Sequence, residues 1–154
     1  MRAVVFVVKV LFALCLPLLL IASNLRCTIN SEQLYEYGFD SYHVTTVTGL
    51  AESELRKVTM SLIDYFNFKQ DIAQVTVLKE GREFELFTER EIVHLKDVRD
   101  LVQLDYFVQL LTLALIVVFG LILVMGWKEA RWQRLTEGLL WGSALTLGLI
   151  IILA

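Results

Sequence analysis

The chain has 154 residues, 56% of them hydrophobic, and a formal net charge of −3. A soluble domain of this length holds about 45–50% apolar residues, and here the excess is gathered in three blocks. The acidic balance argues against nucleic acid as a partner, which calls for clustered Lys and Arg; one Pro and eight Gly leave no room for a disordered linker.

Residues 3–22 are apolar except for Lys9. A secretory signal has an apolar core of only about 7–15 residues, whereas this block has the roughly 20 that cross a bilayer. It reads as an uncleaved transmembrane helix with Arg2 on the cytoplasmic side and Lys9 snorkelling toward it. Pro17 is a kink that spanning helices tolerate, and cleavage near Ala22-Ser23 is the lesser alternative. Cys15, inside the block, reads as a packing residue, and a disulfide to Cys27 just outside it is not expected.

Residues 23–105 form a polar region with 15 acidic and 9 basic residues. The short connection at residues 127–136 carries Lys128, Arg131 and Arg134. Basic residues in short loops set orientation, so this loop is expected to be cytoplasmic, like the N-terminus, and residues 23–105 extracytoplasmic. Within that region, Leu55, Val58, Leu62, Tyr65 and Phe66 recur at helical period and predict a helix over 50–66. Alternating residues around Lys79-Glu80-Gly81-Arg82 predict a hairpin over 74–87. Such a hairpin is marginal alone and should pack on the 50–66 helix. Thr88 and Glu91 fit a capping box that opens a helix over 88–105.

With no Pro or Gly between Thr88 and Phe119, that helix should run straight into the second span, residues 106–126, anchored by Tyr106 and Trp127. The third span, 137–154, carries Gly138, Gly142 and Thr146 at a spacing that permits close helix contact. It ends at Ala154 barely long enough to cross, so the chain reads as C-terminally cut short. The expected class is a mainly α, polytopic membrane protein: three transmembrane helices, with a small α+β extracytoplasmic domain between the first and second.

The chemistry-bearing stretch is Phe87 to Arg99. On a helix, Glu91 and Asp97 lie about 60° to either side of His94. Carboxylates so placed raise a histidine's pKa and fix its tautomer, which suits the imidazole to moving a proton near neutral pH. The same residues also describe an ordinary solvated helix face, and spacing leaves both readings open. His43 lacks a helical frame and reads as a loop histidine. No HExxH, CxxC pair, GxSxG, P-loop or GxGxxG occurs, so neither a metal nor a cofactor is expected.

Phe87, Glu91, Ile92, His94, Asp97 and Val98 resemble the signature F-N-x-x-E-I-x-H-M-x-D-V-K of the bacterial lipoprotein intramolecular transacylases. Thr88, Leu95 and Arg99 replace its Asn, Met and Lys. Leu62 to Asn67 is similar to the family's aromatic-bearing helix end. The resemblance implies a membrane acyltransferase that moves the sn-2 acyl chain of a diacylglyceryl lipoprotein to the amine of its N-terminal cysteine. It also implies His94 as general base and acid, oriented by Glu91 or Asp97, with Arg99 or groups outside this chain as oxyanion donors. Diacylglyceryl lipoproteins and membrane lipid would be the partners. Family members carry a second outer histidine and a fourth span, neither of which occurs here. The competing reading is a non-catalytic module whose outer domain binds a partner and whose Gly138 and Gly142 face pairs with another helix.

Overall fold

The computed structural model describes residues 2–125 and 131–153. The chain divides into two compact units, Met1–Asn24 with Asp105–Ala154, and Leu25–Leu104. Elements run in the order α1 (Arg2–Ile29), α2 (Glu32–Ser41), α3 (Val44–Thr48), α4 (Glu52–Phe66), β1 (Thr76–Lys79), β2 (Arg82–Glu85), α5 (Glu89–Met125) and α6 (Arg131–Leu153). Three of these helices, α1, α5 and α6, are long and apolar enough to cross a membrane.

Helix α1 continues past the end of its apolar run at Ala22, through Ser23, Asn24 and Arg26, to Ile29. Polarity marks where a helix stops being apolar, not where it stops being a helix. Two asparagines bond back one turn there: Asn24 Nδ2 to the Leu20 carbonyl at 3.2 Å and Asn30 Nδ2 to the Arg26 carbonyl at 2.8 Å. In the unit containing both α1 and α6, Val8 and Phe12 are buried against Leu16, Ile116, Phe119 and Leu135. Gly138 and Gly142 make room for this packing. A Cβ on Gly138 would stand 3.0 Å from the Phe12 ring, and one on Gly142 would stand 2.3 Å from Leu16 Cδ1. The glycine face of α6 is therefore occupied by α1 of the same chain. Lys9 ion-pairs with Glu137 across the same two helices, so its ammonium meets a carboxylate instead of simply snorkelling. The expected 127–136 loop lies partly outside the described residues. Its second half, from Arg131, is already the first turns of α6, because charge alone does not stop a helix.

The other unit holds its own core. Leu50, Leu55, Val58, Val75 and Val77 are buried together, with Phe39, Val44, Leu62, Leu86 and Phe87 packed on them. Val77, at the centre of β1, has no exposed surface; burying a valine fully is worth roughly 1.5–3 kcal/mol, which is what rescues a marginal two-stranded sheet. The strands pair antiparallel, Val77 opposite Phe84 and Lys79 opposite Arg82. Glu80 and Gly81 turn at φ 52° and 76°, the doubly left-handed geometry of a tight hairpin turn. Helix α4 grips β1 through its own side chains: Glu54 accepts the Leu78 N–H at 3.0 Å and Lys57 donates to the Thr76 carbonyl at 2.6 Å. Helices α2 and α3 fill part of the stretch between α1 and α4, and neither buries a residue.

Candidate active site

The start of α5 is fixed from two sides. From the hairpin, the Gln74 side chain donates from Nε2 to the Phe87 carbonyl at 2.7 Å, and its Oε1 accepts the Phe87 N–H at 3.0 Å. One glutamine thus pairs with both backbone groups of the residue before the cap. From the helix, Glu91 Oε2 accepts the Thr88 N–H and the Thr88 hydroxyl, each at 2.8 Å, while Thr88 Oγ1 accepts the Glu91 N–H at 3.4 Å. This reciprocal pair is a capping box; it satisfies donors that a helix start otherwise leaves open.

One turn further on, His94 and Asp97 are both exposed. Among the described residues, no hydrogen bond or ion pair joins His94 to Glu91 or to Asp97. The carboxylate of Glu91 is engaged with Thr88. Asp97 carries no such engagement and is the carboxylate free to meet the imidazole. His43, by contrast, stands at the start of α3 with φ 50°, exposed, in the loop position its sequence context suggested.

Arg99 points elsewhere. Five residues beyond His94 it is about 140° further around the helix, and its guanidinium packs against two rings. The guanidinium carbon is 4.4 Å from the Tyr65 centroid and 4.6 Å from that of Phe68. Gln103, one turn on, donates to the Phe66 carbonyl at 2.6 Å. The Arg99 face of α5 is thus the one docked on the end of α4, and it is not the His94 face. Spacing along α5 could not reveal this clamp, because its two rings lie more than thirty residues upstream. Gln74 was equally silent, since no sequence rule marks a glutamine as a backbone partner.

Three membrane-length helices and a small α+β unit bearing an exposed histidine define a multi-pass membrane protein. The chain belongs to the lipoprotein intramolecular transacylase Lit family, whose sequence profile matches residues 10–154. Its fold is similar to that of the membrane integral lipoprotein intramolecular transacylase Lit from Bacillus cereus, with a TM-score of 0.78 at 17% identity. The similarity covers 99% of this chain and 65% of that one, so the chain spans about two-thirds of the length of that protein. Among curated proteins, none matches the chain closely enough to count as a relative.

Proposed function

We propose that this chain supplies the histidine half of an intramolecular acyl transfer within a diacylglyceryl lipoprotein. The imidazole of His94 takes a proton from the N-terminal cysteine amine as the nitrogen attacks the sn-2 ester carbonyl. The tetrahedral intermediate then collapses, the C–O bond to glycerol breaks, and His94 returns the proton to the departing alkoxide as the sn-2 hydroxyl. The product is the N-acylated lyso form, and no cofactor enters the balance. Asp97 orients the imidazole, while Glu91 acts at one remove by fixing the helix that carries it. The observation behind this reading is an exposed imidazole, without a hydrogen bond among the described residues, in the family's motif and within a match covering residues 10–154. Intramolecularity supplies much of the rate, since holding amine and ester together replaces a bimolecular encounter.

In this reading the N-terminus is cytoplasmic and residues 23–105 face outward, where the lipid-modified cysteine resides. Lys128, Arg131 and Arg134 in the short connection favour that orientation. The alternative of a non-catalytic assembly module loses one support, because the glycine face it would use is filled by Phe12 and Leu16. Mass spectrometry of lipoprotein N-terminal peptides from cells producing the protein tests the proposal. With His94→Ala the lyso form is expected to disappear, and its persistence at the unaltered level refutes the assignment.

A further inference from the structure

The aromatic clamp on Arg99 has no part in the acyl-transfer reading. Its guanidinium is packed against two rings, those of Tyr65, which is 2% exposed, and Phe68. Nε and Nη1 are shut off from solvent and have no hydrogen-bond acceptor. Among the described residues no carboxylate lies within ion-pair distance of it. A partly desolvated guanidinium without a counterion is costly, and the two rings supply only part of what water would, about 0.5–2 kcal/mol per cation–π contact.

The backbone beneath one of those rings is itself strained. Phe68 follows the C-cap of α4 with φ 57°. Its N–H bonds the Tyr65 carbonyl at 3.2 Å and the Lys69 N–H bonds the Asp64 carbonyl at 2.9 Å. These two bonds define a Schellman ending, whose left-handed position normally belongs to glycine. A phenylalanine there costs about 1–2 kcal/mol with 55% of the residue still exposed, so core burial does not explain the choice. What the ring does in this structure is cover Arg99. In the sequence, the apolar stretch from Tyr106 begins seven residues later, which puts the cation near the level of lipid headgroups.

The geometry points to a phosphate-binding site at Arg99, framed by Tyr65 and Phe68, whose ligand is the phosphate of a phospholipid headgroup or a free phosphate ion. A guanidinium suits it because its planar fork stacks on rings while Nη2, the one nitrogen not shut off from solvent, is left to donate to a phosphate oxygen. The site is independent of His94 and stands whether or not the chain transfers acyl groups.

Native mass spectrometry of the full chain in detergent tests this, with phosphatidylglycerol, phosphatidylcholine and a diacylglycerol of the same acyl chains as probes. Both phospholipids are expected to be retained over diacylglycerol, and Arg99→Gln to lower their retention roughly tenfold or more. Phe68→Gly should lower it as well while leaving Tm unchanged or higher, because glycine relaxes the left-handed turn. In a parallel arm, line broadening of inorganic phosphate in 31P NMR that Arg99→Gln abolishes, with no phospholipid preference, assigns the site to the free ion. If Arg99→Gln fails to fold, Phe68→Gly carries both arms. Retention and broadening unaltered by these variants, or diacylglycerol held as well as phospholipid with no phosphate broadening, overturns the proposal.

Discussion

Glu91 stands in the family motif and in a capping box at once, and the two roles predict opposite outcomes for one substitution. Glu91→Gln keeps an oxygen that can accept the Thr88 N–H and hydroxyl, both now at 2.8 Å, so the cap survives. If the cap is the residue's function, acyl transfer and amide exchange over residues 89–94 should stay within a few-fold of the unaltered protein. Thr88→Ala removes the hydroxyl but leaves the Thr88 N–H bond to Glu91. The typical loss is about 1 kcal/mol, or about fivefold faster exchange in the first turn of α5. Asp97→Asn, which removes the carboxylate left to orient the imidazole, is expected to slow transfer by about 10²-fold or more with exchange unchanged. The assays are a time course of lyso-form production from a diacylglyceryl lipopeptide and hydrogen exchange read by mass spectrometry. A hundredfold loss in Glu91→Gln with undisturbed exchange would mean that Glu91 acts on His94 directly, and the division of labour drawn above would be wrong.

Two predictions concern the α1–α6 pair. Gly142→Ala should destabilise the protein, because the added methyl meets Leu16 and the Ala13 carbonyl, whereas Gly148→Ala meets nothing within 4 Å and should gain about 0.5–1 kcal/mol from helix propensity. Thermal unfolding followed by tryptophan fluorescence in detergent compares them, and equal Tm values would contradict the close packing. Lys9→Met alone should destabilise the protein and lower Tm by leaving the Glu137 charge unpaired, by about 1 kcal/mol because the Glu137 side chain is 56% exposed. Lys9→Met with Glu137→Leu should recover most of that loss; a double variant as unstable as the single one would show that the pair is not coupled.

How much of this could be read from residues alone depends on whether the signal was local. The hairpin turn was legible because Lys79-Glu80-Gly81-Arg82 sits between alternating residues, and the cap because Thr88 and Glu91 are three apart. Spans were legible because lipid demands long apolar runs. Helix α2 was not, since Glu32–Ser41 buries no residue fully and its half-buried apolar face is only Tyr35 and Phe39, too short a run to establish a period. The Arg99 clamp was hidden for a different reason: Phe68 occupies a position where the rule predicts glycine, so reading by rule passes over it. Of the candidate site, the residue identities and Glu91's place in the cap were visible, but that Glu91 makes no bond to His94, and that Arg99 packs on Tyr65 and Phe68, needed coordinates, because motif spacing does not say which way a side chain turns.

The Gln74 contact to Phe87 has a consequence for how relatives of this chain can vary in length. The hairpin is a closed loop between those two residues, with the Leu86 N–H to Val75 carbonyl bond, at 2.9 Å, as its last rung. A single-residue insertion in either strand would flip the following side chains to the opposite face, pulling Val77 or Phe87 out of register with its neighbours. Matched additions to both strands at the Glu80-Gly81 tip, where Gly81 meets nothing within 4 Å, would leave the clasp intact. Natural length variation in this hairpin is therefore expected to come in pairs and at the tip.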